Sequence, residues 1–164
     1  MTGFRISYAA FATAADPPLT IAGKLATPAE DGPVPGVLIC HGSDGVDGRG
    51  EFHAQALNAA RIATFEIDMW AARGVGRGAA ARPRSVPETL PDAFAAAAFM
   101  ARQPEIDPAR IGVLGFSWGG VVSLLTATRR WREALGADAP PLVAHAALYP
   151  VCWSYGAVPG FSLD

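Results

Sequence analysis

Two kinds of apolar pattern alternate along the chain. Short unbroken runs occur at Val37-Leu38-Ile39-Cys40, Ile62–Ile67, Ile111–Phe116 and Leu142–Tyr149. Runs of this length read as strands buried on both faces. Between them lie stretches with helical spacing. In Glu51–Arg61, Phe52, Ala56, Leu57 and Ala60 share one helical face. Leu90–Gln103 is a second such stretch, with Pro91 in its first turn and Pro104 as its stop, and Val121–Trp131 is a third. Ahead of them all, Phe4–Ala9 alternates weakly and Leu19–Ala26 reads as a second extended piece. Pro17-Pro18 between these two predicts a turn, hence an antiparallel hairpin at a sheet edge. Strands alternating with helices imply a parallel sheet wrapped on both sides, with right-handed crossovers. The expected fold class is α/β, a three-layer α/β/α sandwich with a mostly parallel sheet. Residues 1–164 form one domain on this reading.

The segments between the runs carry most of the glycine and proline. Pro33-Val34-Pro35-Gly36 punctuates the chain before the first buried run, and His41-Gly42-Ser43-Asp44-Gly45 is a turn-rich loop after it. Ala71–Pro87 reads as a long surface loop, a length that inside a compact domain points to function or to mobility. Ile106–Arg110 reads as a turn.

Composition narrows the class without naming a chemistry. Half of the 164 residues are apolar (51%), which excludes a disordered chain. A net charge of −2, with scattered arginines, gives no reason to expect nucleic acid or an anionic membrane. Cys40 and Cys152 make neither a disulfide framework nor a metal motif. No signal peptide or membrane-length apolar run is evident, so a cytoplasmic protein is expected. Neither cofactor nor metal is expected.

Chemistry concentrates in Gly115-Phe116-Ser117-Trp118-Gly119, a G-x-S-x-G pattern between a buried strand and an apolar helix. A turn tight enough to lift a serine above the strand end needs small neighbours, and glycines stand at 115, 119 and 120. Ser117 is therefore the candidate nucleophile, beside a helix N-terminus with free N–H groups. Acyl transfer needs such donors, because its tetrahedral intermediate carries negative charge on oxygen. The N–H of Trp118 is the natural first donor. The second is expected from the loop after Val37–Cys40, through Gly42 or Ser43.

Here the chain resembles the dienelactone hydrolases within the α/β-hydrolase fold. The likeness rests on His41-Gly42, on Asp107-Pro108-Ala109-Arg110-Ile111-Gly112, on Gly115-Phe116-Ser117-Trp118-Gly119-Gly120 and on Leu148-Tyr149-Pro150, within residues 19 to 153. It implies a hydrolase acting on small-molecule carboxylic esters or lactones through an acyl-enzyme. The namesake enzymes look to use cysteine as nucleophile, and serine here points to a more general ester or lactone hydrolase. Such enzymes place acid and then histidine after the nucleophile. The only histidine after Ser117 is His145, inside a strand run; His41 resembles a structural oxyanion-loop histidine, His53 reads as surface, and Asp164 is terminal. No base is in place on this reading, and Leu142–Tyr149 is left as an apolar edge strand. The chain thus reads as truncated, its acid, base and last strands beyond Asp164. That edge would be covered by the missing segment or by a second copy in a homo-oligomer.

Weaker signals remain open. Gly74-Val75-Gly76-Arg77-Gly78 lacks the spacing of a phosphate cradle and reads as a loop, which disfavours a nucleotide-binding domain. Arg73, Arg77 and Arg82 are candidates to meet a substrate carboxylate. Trp70 and Trp118 line either a pocket or the core, and Glu66 and Asp68 are weak alternatives for the acid. A non-catalytic homologue serving as a binding or assembly module is the rival to the hydrolase reading.

Overall fold

The computed structural model describes residues 3–29, 32–75 and 82–152. Its opening hairpin pairs β1 (Phe4–Ala12) with β2 (Thr20–Pro28) antiparallel, both longer than the alternation suggests. The buried runs become β3 (Val34–Cys40), β4 (Ala63–Asp68), β5 (Ile106–Phe116) and β6 (Ala144–Leu148). The six strands form one sheet in the order β1-β2-β4-β3-β5-β6. From β4 to β6 every pairing is parallel, while β2 joins β4 antiparallel. The sheet is mostly parallel as expected, with the antiparallel hairpin on one edge and β6 on the other.

Helix α1 (Gly48–Ala59) connects β3 to β4, and α2 (Leu90–Ala101) returns the chain past β3 to β5. The chain reverses its direction of winding at β3, which puts α1 on one face of the sheet and the later helices on the other. Helices α2 and α3 (Trp118–Thr126) cover one face of the sheet. Leu38, Phe65, Ile67 and Ile111 are fully buried there, in one cluster with Leu90, Met100 and Val122. The opposite face carries a smaller cluster of Ile39, Ala54, Leu114 and Phe116. No helix among the described residues is long and apolar enough to cross a membrane.

Four expectations need correction. The stripe Phe52, Ala56, Leu57 and Ala60 is not the face α1 buries: Gly50 and Ala54 are buried and Phe52 is 69% exposed. Asp47 starts the helix by accepting the Arg49 N–H at 2.9 Å, which turns the small residues toward the sheet. Ile106–Arg110 belongs to β5, although it keeps a turn inside the strand. Asp107 accepts the Ala109 N–H at 2.9 Å, and the pairing with β3 jumps from Val34↔Ile106 to Gly36↔Ile111. The helix expected over Val121–Trp131 is two helices, α3 and α4 (Arg129–Leu135). Thr126 and Thr128 donate their hydroxyls to the carbonyls of Ser123 and Leu125, each at 2.9 Å, and Thr128 is extended. Such side-chain bonds compete with helix continuation. Finally, Ala71–Pro87 is not all loop: Ala71–Arg73 and Val86–Thr89 form short 3-10 turns. Gly76, Arg77, Gly78 and Asp164 lie outside the described residues.

Candidate active site

The carboxyl ends of β3 and β5 adjoin where the winding reverses, the position at which open α/β sheets place their ligands. Ser117 follows β5 directly, and His41-Gly42-Ser43 follows β3. Ser117 has φ 50° and ψ −105°, a conformation that costs a non-glycine residue about 1–3 kcal/mol. Its surroundings leave it no other. Its N–H donates to Leu148 O at 2.9 Å, and its carbonyl accepts the Val121 N–H at 3.1 Å. A Cβ added at Gly115 would sit 1.9 Å from Gly119 O, and one at Gly119 would sit 2.1 Å from Cys40 O. The glycines hold strand, turn and helix in backbone contact.

The hydroxyl of Ser117 is left free by this packing. It makes no capping hydrogen bond to α3 and no hydrogen bond to any described residue. The 41–43 loop comes to it: a Cβ on Gly42 would lie 3.6 Å from Ser117 Cβ. Gly42 pairs with Gly45 in an isolated bridge, its carbonyl accepting the Gly45 N–H at 3.1 Å. Gly119 N–H is committed to His41 O at 3.1 Å, tying the start of α3 to the same loop. The amide N–H groups of Trp118 and Ser43 find no acceptor among the described residues.

Two of the three histidines are hydrogen-bonded elsewhere, and the third packs on aromatic rings. His41 is 2% exposed; its Nε2 accepts the Met69 N–H at 2.9 Å and its Nδ1 donates to Gly42 O at 2.7 Å. Burial holds this ring below the usual imidazole range, so it is a neutral brace between two loops. His53 is half-buried rather than at the surface, its ring 5.3 Å from that of Phe116. His145 Nδ1 donates to Ser123 O at 2.9 Å, on the α3 face of the sheet. The weak acid candidates are placed no better. Asp68 Oδ1 accepts the N–H groups of Trp70 and Ala71 at 2.9 and 3.0 Å, and Glu66 lies under α1.

The remaining sequence candidates divide. Arg73 does not face the site: it pairs with buried Asp92 at 2.6 Å. Arg82 lies over the Trp118 ring at 5.8 Å. Trp70 and Trp118, 2% and 9% exposed, belong to the core cluster.

Comparison with solved structures places this geometry. An α/β-hydrolase from a Penicillium species superposes with a TM-score of 0.63 at 20% identity, over 77% of this chain and 43% of its own. A dienelactone hydrolase-like promiscuous phosphotriesterase from metagenomic libraries gives 0.58 at 21% identity, over 71% and 52%. An acetyl xylan esterase from Paenibacillus gives 0.56 at 21% identity, over 77% and 48%. The chain has the α/β-hydrolase fold. It spans about half the length of these structures. No protein-family model and no curated protein matches it in sequence.

As an α/β-hydrolase fold, the described residues bring Ser117 to its elbow and the loop of Gly42 and Ser43 beside it. They bring neither a free histidine nor a carboxylate to that hydroxyl. Sequence reasoning missed Thr89, whose hydroxyl accepts the Trp118 indole N–H at 3.1 Å. It also missed Arg49, which donates to Tyr149 OH at 3.2 Å across the mouth of the corner. No motif marks either residue; both act through chain segments far apart in sequence.

Proposed function

We propose that this chain carries the nucleophile half of a serine hydrolase of the dienelactone hydrolase type, acting on carboxylic ester or lactone bonds. Ser117 Oγ attacks the carbonyl carbon, and the C–O bond to the leaving alcohol breaks. Water then cleaves the acyl-enzyme and releases the acid. The oxyanion formed at each stage is held by the N–H of Trp118 and by an amide of the 41–43 loop, from Ser43 or Gly42. The observation that carries this reading is Ser117 itself: a strained serine whose hydroxyl makes no hydrogen bond to a described residue, beside the 41–43 loop.

The proton of Ser117 needs a base; His41 and His145 are hydrogen-bonded elsewhere, and His53 packs on the rings of Phe52 and Phe116 with no hydrogen bond to Ser117. Oxyanion donors alone sustain a residual rate, orders of magnitude below a complete triad. That same observation favours the second reading, a folded but non-catalytic module. A fluorophosphonate probe separates the two. On the hydrolase reading, peptide mass spectrometry finds the adduct on Ser117, and Ser117→Ala abolishes it. A chain that is folded by circular dichroism and takes up no probe, or a label that survives Ser117→Ala, overturns it.

A further inference from the structure

The 41–45 loop offers an amide to the corner only if its peptide planes are held. Two of its carbonyls are clamped from behind. Gly42 O accepts the His41 Nδ1–H at 2.7 Å and the Gly45 N–H at 3.1 Å. The next carbonyl, Ser43 O, accepts the indole Nε1–H of Trp70 at 3.0 Å. A trans peptide is planar, with its C=O and N–H on opposite sides. Fixing Gly42 O toward the protein therefore turns Ser43 N–H outward, and fixing Ser43 O limits rotation of the residue that carries that N–H.

Trp70 reaches this position because it follows β4, whose neighbour β3 feeds the loop. It is 2% exposed and its ring meets three parts of the site at once. It packs edge-on against His41 at 5.0 Å and against Trp118 at 5.4 Å, and its Cδ1 lies 3.4 Å from where a Cβ on Gly45 would stand. Asp68 Oδ1 fixes its backbone by accepting its N–H at 2.9 Å. A phenylalanine keeps one aromatic ring in this space and removes the donor together with the fused second ring.

We infer that Trp70 is a positioning residue for the oxyanion donors, acting through its indole N–H on Ser43 O and its ring contact with Trp118. This rests on the hydrolase reading above. It assigns catalytic consequence to a side chain that touches no substrate. Loosening one donor lowers stabilisation of the tetrahedral state, not the binding of the reactant.

The test compares the wild-type chain with Trp70→Phe, using the same fluorophosphonate. Expected is a fall of about 10- to 100-fold in the maximal labelling rate, with the half-saturating probe concentration unchanged. Amide exchange at Gly45 and Met69 rises about tenfold or more, because the loop they bridge loses its clamp. A Phe variant that labels at the wild-type rate, or one in which the half-saturating concentration alone rises, overturns the proposal. If the wild-type chain takes no label, the hydrolase reading falls by itself, and the exchange rates decide on Trp70. Faster exchange in the variant supports the clamp; unchanged exchange overturns it. Should Trp70→Phe not fold, the wild-type chain still answers by NMR. A through-bond coupling from Trp70 Nε1 to the Ser43 carbonyl carbon supports the clamp, and its absence in an otherwise assigned spectrum overturns it.

Discussion

Two buried carboxylates, one on each face of the sheet, show how differently the two faces are built. Asp92, on α2, is fully buried and receives both ends of the Arg73 guanidinium, at 2.6 and 3.1 Å. Glu66, on β4 under α1, is 7% exposed, and its Oε1 has no hydrogen-bond partner among the described residues. Burial raises both carboxyls, but for Asp92 the paired arginine works against the shift. For Glu66 burial dominates and pushes the carboxyl up to about 7, with Lys24 opposing and Glu51, Asp47 and Asp68 adding to it. Lys24 lies directly opposite Glu66 in the β2–β4 register, yet its ammonium sits at 2.5 Å from Glu51. The covered face accepts a charge only when its geometry is complete. The α1 face tolerates an incomplete one because it is looser. Beside α1 a groove of about 360 Å³ opens over Val37, Gly112, Leu114, Ala144 and Ala146.

If that contrast is right, the largest effect follows from breaking the completed pair. Arg73→Met leaves Asp92 without its partner in the core, either charged or forced to take up a proton, and should cost about 3–5 kcal/mol in urea unfolding at neutral pH. A loss of under about 1 kcal/mol would mean that water reaches Asp92. Gly119→Ala probes the same face by volume. Its Cβ meets the Cys40 and His41 carbonyls at 2.1 and 2.7 Å, and backbone cannot step aside. Destabilisation of about 3 kcal/mol and loss of probe labelling are expected.

Glu66 gives the next effect, and it depends on pH. Its folded carboxyl titrates near 7, above the ordinary 4.5, so the folded state holds the proton more tightly than the unfolded one. The stability this adds is complete below pH 4.5 and is lost as pH rises through about 7. Against Glu66→Gln, the wild-type chain should lose on the order of 2 kcal/mol between pH 5 and pH 8, read from parallel urea titrations. Parallel curves for the two proteins would show that Glu66 is solvated.

The sheet and the elbow were legible in the sequence for one reason: both rest on local pattern. Leu38–Cys40 and Ile111–Phe116 are buried on two faces and so lack alternation, and Gly115, Gly119 and Gly120 stand where only glycine fits. The α1 face was not legible. Phe52, Ala56, Leu57 and Ala60 satisfy a helical period, but what a helix buries depends on its partner across the sheet. Here that partner is the Glu66 carboxyl, and Ala56, Leu57 and Ala60 turn to the groove instead. The brace around the site was hidden for a similar reason. His41, Trp70 and Thr89 matter through bonds to Met69, Ser43 and Trp118, which only the folded register brings near.

Gly50→Ala is the smallest effect and the sharpest check on the contrast. On paper its clash is worse than that of Gly119→Ala, since the added Cβ would stand 1.7 Å from Glu66 Oε1. The obstacle is different in kind. It is the end of a flexible side chain beside the small cavity it shares with Lys24 and Glu51, and it can rotate away. Alanine also favours the helix over glycine, by up to about 1 kcal/mol in this first turn. The two terms oppose, and a net change of under about 1 kcal/mol is expected, with the Glu66 titration moving back toward 4.5 as its carboxyl reaches water. Equal destabilisation by Gly50→Ala and Gly119→Ala would mean that α1 sits as rigidly on its face as α3 does on the other. The difference between the faces would then lie in Arg73 alone.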